Sequence, residues 1–320
     1  MLSYIPLALA PLLFLGRLAA AEAVLALNVD FPDPCVIQTD NGYYAFSTAS
    51  GDVNAQVASS PDFSSWTLLE GTDALPGPFP SWVGSQGGRP QIWAPDVIQR
   101  ADGTYVMYFA AVSSSDTGKH CVGAATSTTI TGPYTPEENV LACPLSQGGA
   151  IDAAGFIDGD QYYVVYKVDG SNLGNNSPTP IMLQAMESDA VTPSGDPVQI
   201  LDHDDGDGGN IEAPSLVNVD GIYYLSFSSS IFDQTTYDSS YATATSITGP
   251  YAKAHTPNAP LLVTGDPSNV GTLTAPGGLD FSADGTKIVF AAWISSDGVG
   301  SGRAMYTASV QISDDVVKIL

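Results

Sequence analysis

The chain has 320 residues, and 34 acidic side chains against 9 basic ones leave a formal net charge of −25. A surface so poor in cations cannot neutralise a row of phosphates, which excludes nucleic acid as a partner and makes anionic substrates poor candidates. The same charge keeps a free-standing protein soluble and needs no further explanation.

The first stretch carries an apolar run from Leu7 to Leu15 and ends in Ala19-Ala20-Ala21, a small-residue cleavage pattern. Arg17 and Glu22 interrupt the run too early for a membrane span, which needs about 20 apolar residues. We therefore expect a secretory signal peptide over residues 1–21, no membrane anchor, and one secreted β domain over residues 22–320. No Pro/Ser-rich linker marks an accessory module, and a monomer is expected.

Beyond the leader one pattern recurs. Phe31-Pro32-Asp33-Pro34-Cys35-Val36-Ile37 runs into Asp40-Asn41-Gly42-Tyr43-Tyr44-Ala45-Phe46. Trp93-Ala94-Pro95-Asp96-Val97-Ile98 runs into Asp102-Gly103-Thr104-Tyr105-Val106-Met107-Tyr108. Further copies begin at Ile151-Asp152-Ala153 and at Asn210-Ile211-Glu212-Ala213-Pro214-Ser215, and a degenerate one at Ala275-Pro276-Gly277-Gly278. Each copy is a short apolar run, a turn rich in Asp and Gly, and an alternating aromatic run, which reads as strand, turn, strand. A second half follows in each. Val122–Tyr134 and Tyr241–Tyr251 share the ending Ile-Thr-Gly-Pro-Tyr, and Met182–Met186 and Ala304–Ala308 are weaker versions. Five copies of four strands, about sixty residues apart, predict an all-β five-bladed propeller.

Three cysteines are present in what should be an oxidising compartment. Cys121 and Cys143 flank one hairpin and are the expected disulfide, leaving Cys35 as a buried free thiol. Asn175-Asn176-Ser177 is a glycosylation sequon followed by Pro178. The acidic loop Asp202-His203-Asp204-Asp205-Gly206-Asp207 lacks the ligand spacing of a calcium loop and is expected to be solvated. No metal and no cofactor are expected.

In a propeller the first strand of each blade lines the central axis, so residues opening those strands converge. Asp33, Asp152 and Glu212 then face one cavity from three blades, each among apolar or small neighbours where a surface acid is not expected. Burial and neighbouring carboxylates both raise a carboxyl pKa, which suits a general acid.

With its Asp-Pro, Trp93-Ala94-Pro95-Asp96, Ile151-Asp152 and Glu212-Ala213-Pro214-Ser215 motifs, the chain resembles glycoside hydrolase family 43, five-bladed arabinanases, arabinofuranosidases and xylosidases. The resemblance implies an inverting hydrolase with Asp33 as general base, Glu212 as general acid and Asp152 as the carboxylate that holds up the acid's pKa. Base and acid of an inverting enzyme stand roughly 6.5–9.5 Å apart, with water on the base side. Trp93 and Phe31 either stack on a pentose or pack between blades, and Asp96 either binds sugar or makes strand-end hydrogen bonds. Arg303, one of few cations, is expected to hold a sugar hydroxyl or Asp152. Relatives often carry a histidine in blade five, but Thr274–Leu279 has none, so a central calcium cannot be carried over. The expected substrates are plant polysaccharides, arabinan or arabinoxylan, cut from chain ends because two long segments, Ser50–Gln91 and Asp169–Pro180, wall off one side of the cavity. Xylosidase action, endo-arabinanase action and a non-catalytic carbohydrate-binding propeller are the alternatives.

Overall fold

The structure, a computed structural model, describes residues 22–174 and 177–320. The expected leader over residues 1–21, and Asn175 and Asn176 of the sequon, lie outside the described residues. Among the described residues no helix is long and apolar enough to cross a membrane.

Five antiparallel blade sheets follow one another along the chain, with a small two-stranded sheet, Pro267–Ser268 and Gly271–Thr272, before the last. Blade one holds Cys35–Thr39, Gly42–Ser47, Gln56–Ser60 and Thr67–Leu68. Blade two holds Trp93–Gln99, Tyr105–Val112, His120–Ser127 and Thr135–Pro136. Ala150–Asp158, Gln161–Val168, Ile181–Met186 and Val198–Leu201 make blade three. Ile211–Val219, Ile222–Ser229, Asp238–Ala244 and Ala252–Lys253 make blade four. Blade five takes Gly277–Phe281, Lys287–Trp293 and Arg303–Ser313 from the C-terminal end. Its fourth strand is Val24–Leu27 from the other end of the chain, paired Val24 to Thr307. The sequence repeat does not show this closure, because the closing strand stands apart from the copy it completes.

The turn chemistry follows the sequence. Asp220 and Gly221 both take positive φ, 52° and 83°, as the two-residue turn between Val219 and Ile222 demands. Tyr134 donates to the Ile130 carbonyl at 2.9 Å, and Tyr251 makes the same bond to Ile247 at 3.1 Å, so the shared Ile-Thr-Gly-Pro-Tyr ending is one local structure used twice. The core lies between the blades. Phe46, Met107 and Phe109 pack between blades one and two, Tyr108 and Val164 between two and three, and Leu216, Phe227 and Val165 between three and four.

Cys121 and Cys143 are bridged and Cys35 is buried and free, as expected. The bridge closes a loop of 22 residues. Replacing both cysteines with serine should lower the unfolding free energy by about 3 kcal/mol in the chain-entropy relation, read by urea denaturation with and without reductant. An unchanged midpoint would show that the cross-link adds nothing. The acidic loop is not simply solvated: the Lys253 ammonium sits against Asp204 at 3.0 Å and against Asp207, with Phe227 beneath it at 5.5 Å. A lysine holds these carboxylates together.

Candidate active site

The first strands enter the centre by one repeated device. Pairing with the second strand breaks between Trp93 and Asp96, Ile151 and Ala154, Glu212 and Ser215, and Gly277 and Asp280. Inside each break one residue has positive φ: Ala94 at 40°, Asp152 at 56°, Ala213 at 51° and Gly278 at 63°. Asp33, at 52°, takes this place in blade one. Side chains in the left-handed region cost about 1–2 kcal/mol except in Gly, Asn and Asp, so aspartate suits Asp33 and Asp152 on conformational grounds as well. The register also corrects the reading of the fifth copy. Gly278, not Ala275, is the counterpart of Ala94 and Ala213, and the copy looked degenerate because two glycines stand at its turning point.

Two layers result. Trp93, Ile151, Glu212, Asp33 and Asp152 line a cavity of about 560 Å³. Below it a channel of about 40 Å³ runs past Cys35, Asp96, Ser215 and Asp280, too narrow for a sugar. Asp96 belongs to this lower layer. Its Oδ2 accepts the Gly155 amide of the next blade at 2.7 Å, so it is an inter-blade tie and not a sugar ligand. Asp280 plays the same part, accepting the Val36 amide at 2.7 Å and the Ser215 hydroxyl at 2.6 Å. Burial pushes its carboxyl up to about 6, and burial with the neighbouring Asp280 pushes Asp96 well above the carboxylate range. Phe31 is fully buried among Leu27, Ala45, Ala58 and Met305, so of its two readings packing holds and stacking on sugar does not.

The three upper carboxyl groups have different surroundings. Asp33 is gripped by Arg303 at 2.7 Å and 3.0 Å, and its Oδ2 also accepts from Thr48 at 2.8 Å. Arg303 therefore serves Asp33, not Asp152; the bidentate fork fixes one carboxylate rotamer. The guanidinium packs over Phe232 at 5.1 Å. Asp152 accepts the Ala213 amide at 3.0 Å and so ties down the strand that carries Glu212. Burial, and next the Glu212 charge, push its carboxyl up to about 8. Glu212 is also buried, which acts to raise its pKa, but Lys167 and hydrogen-bond donors outweigh burial and lower it. Those donors are the Lys167 ammonium at 2.9 Å, the Asn210 amide at 3.0 Å and the Tyr237 hydroxyl at 2.8 Å.

Lys167, Tyr237 and Asn210 went unnoticed in the sequence. Lys167 ends the aromatic strand Gln161–Val168 and is fully buried, a place where a lysine needs a carboxylate partner. That, in a chain with 9 basic residues, was the available signal. Tyr237 had one too. A Cβ on Gly277 would run into the Tyr237 ring, so the glycine at the position held elsewhere by Trp93 and Glu212 makes room for the tyrosine. Trp93 lines the cavity with His120 stacked on one face at 3.6 Å between ring centres, and burial keeps His120 down at about 4. Ile231 and Phe232, 49% and 43% exposed, also line the cavity.

The glycosyl hydrolases family 43 model matches residues 26–317 of the chain. The chain belongs to that family. It is 31% identical over 255 residues to the extracellular endo-alpha-(1->5)-L-arabinanase 1 of Bacillus subtilis (strain 168), a match spanning 76% of this chain and 75% of the relative. It is 29% identical over 243 residues to the beta-D-galactofuranosidase xynD of Aspergillus niger, spanning 69% of this chain and 63% of that one. The crystal structure of an endo-1,4-beta-xylanase from Bacteroides thetaiotaomicron VPI-5482 superposes with a TM-score of 0.71 at 27% identity, covering 92% of this chain and 96% of that one. Family 43 membership makes the chain an inverting glycoside hydrolase, and the crystal structure of a thermostable family-43 glycoside hydrolase shares its fold, with a TM-score of 0.73 at 24% identity over 91% of this chain and 92% of that one.

Proposed function

We propose that this family 43 hydrolase is secreted and cuts arabinose-containing plant polysaccharide, with Asp33 as base, Glu212 as acid and Asp152 as the acid's electrostatic partner. The observation that carries the reading is the convergence of three carboxyl groups from three blades on one cavity, each with different partners. In an inverting displacement, Asp33 takes a proton from water as the water oxygen bonds to the anomeric carbon. Glu212 gives a proton to the departing oxygen as the glycosidic bond breaks. A module that merely binds sugar has no need of two part-buried carboxyl groups of which one raises the other's pKa, which argues against the non-catalytic alternative. Arabinan is favoured by the Bacillus subtilis relative, and secretion by that relative's extracellular name and by the leader-like residues 1–21.

The Asp152–Glu212 pair keeps one proton through neutral pH, and activity on the alkaline side fails as that proton leaves, with Asp152 at about 8. In Asp152→Asn the proton faces Lys167 with no rival carboxylate to retain it. The alkaline limb should then fall by about 1–3 pH units. A limb left in place would remove Asp152 from this role.

Chain-end cleavage is supported by the two long segments, both of which contribute to the cavity wall. Gln86 comes from the first and Asp169, Ser171 and Asn172 from the second, and Asn172 donates to the Gly118 carbonyl in a blade-two loop at 2.8 Å. Mid-chain cleavage is supported by the name of the Bacillus subtilis relative. Linear arabinan decides. Steady release of one small sugar with slow loss of viscosity is expected for chain-end attack, and rapid thinning with few new reducing ends for mid-chain attack. Failure to release sugar from linear arabinan, branched arabinan or arabinoxylan would overturn the substrate class.

A further inference from the structure

Lys167 lies inside the catalytic layer yet has no place in the three-carboxylate scheme. Its ammonium is fully buried and makes two ion pairs, with Glu212 at 2.9 Å and Asp169 at 3.1 Å, and a hydrogen bond to Ser171 at 3.0 Å. Burial alone would lower its pKa, but Glu212, Asp169 and Asp152 raise it, so the lysine stays charged. Lys167 and Asn210 both donate to one Glu212 oxygen and offer no lone pair to a proton on it, and the Tyr237 hydroxyl donates to the other, so Glu212 as bonded only accepts, which suits a carboxylate. Asp152, in contrast, has one oxygen on an amide. The other charged groups on the cavity wall are Asp33 and Arg303, paired with each other, and Asp169, paired with Lys167; His120 is buried and neutral at working pH.

We propose that Lys167 is a positioning residue for the proton-donating step: it holds Glu212 as the carboxylate in the free enzyme and keeps the pair's shared proton on Asp152. The proposal rests on Glu212 being the general acid. Before the leaving oxygen is protonated, the Asp152 O–H must break and a Glu212 O–H must form, with the negative charge passing from Glu212 to Asp152. Lys167 opposes that transfer and so sets how far into alkaline pH the acid form survives.

The test is the pH dependence of kcat/KM on an arabino-oligosaccharide, with melting temperature recorded for each variant. Lys167→Met should move the alkaline limb upward by about one pH unit or more, since an opposite charge this close lowers a carboxyl pKa by roughly 1–3 units. Lys167→Arg keeps the charge and should leave the limb near its original place. Asp169→Asn removes the carboxylate that competes for the ammonium and should move the limb downward. These opposite signs separate the proposal from a role in holding the Gly170–Leu173 turn, which predicts a lower melting temperature and an unmoved limb in both variants. Carbon-13 NMR of glutamate carboxyl groups reads the same answer without turnover: Glu212 should titrate at higher pH in Lys167→Met than in the parent. A Glu212 signal that titrates at the same pH in both overturns the proposal. Failure of the underlying reading looks different. If Glu212→Gln kept its alkaline limb on an activated aryl glycoside, Glu212 would not be the acid and the proposal would fall with it.

Discussion

Asp33→Asn should lower kcat on arabino-oligosaccharides and on activated aryl glycosides alike, by about 10²–10⁴-fold, the usual worth of a positioned base. The leaving group is irrelevant to this loss, because what is missing is the group that takes the water's proton. Asparagine is a close isostere, tolerates the positive φ of 52° at this position, and with its carbonyl in the Oδ2 place can still accept from Thr48 and from one Arg303 nitrogen, losing the second guanidinium bond. The expected defect is therefore chemical rather than a collapse of the site, and substrate affinity should change little. Asp33→Gly sharpens the test. Glycine suits the same backbone conformation and leaves a space beside the anomeric carbon. Azide placed there can bond to that carbon as the glycosidic bond breaks and Glu212 protonates the departing oxygen. A glycosyl azide of inverted configuration should form, at a rate rising with azide concentration. Wild-type turnover in Asp33→Asn would end the assignment.

Glu212→Gln should fail selectively. A sugar hydroxyl is a poor leaving group and needs its proton, so oligosaccharide hydrolysis should drop by about 10²–10⁴-fold. An aryl glycoside with an acidic phenol departs as the phenolate and should lose far less. The glutamine carbonyl can still accept from Lys167 and Asn210, and its amide can face the Tyr237 oxygen, so the pocket keeps its hydrogen bonds. Equal losses on both substrates would contradict a proton-donating role. Together the two variants separate acid from base by their response to the leaving group.

The architecture was legible because a propeller repeats its turn chemistry. Asp-Gly turns, Ala-Pro entries and Ile-Thr-Gly-Pro-Tyr endings each report one local geometry, and their spacing reports the ring. Asp33, Asp152, Glu212 and Trp93 were legible for the same reason, since each opens an innermost strand. What the sequence hid lies across blade boundaries. Arg303 was expected to hold a sugar hydroxyl or Asp152 and instead grips Asp33, because the closing blade sits beside blade one rather than blade three. Asp96 stands one layer below the cavity at the far side of the register break in its strand, and Phe31 packs behind it in the segment before Cys35–Thr39, differences that periodicity does not resolve. The proton's proposed place also differs from the sequence expectation. The Asp152–Glu212 pair was expected to hold its proton on Glu212, whereas its proposed place is Asp152, with the lysine that ends against Glu212 coming from the second strand of blade three.

Ring closure makes the proposed base, Asp33, a late product of folding. Asp33 is among the first residues of the described chain, yet the guanidinium that orients it is 270 positions away, on the strand that also receives Val24–Leu27. Long-range pairing of this kind is slow to form because the intervening chain must first be organised. Blades one to four can each assemble from their own segments, whereas the base is set only when the last blade docks against the first. Return of hydrolytic activity during refolding should therefore lag the return of β-sheet signal and coincide with the joining of the two ends. The enzyme thus carries an internal clock for its own completion: turnover starts when the circle shuts.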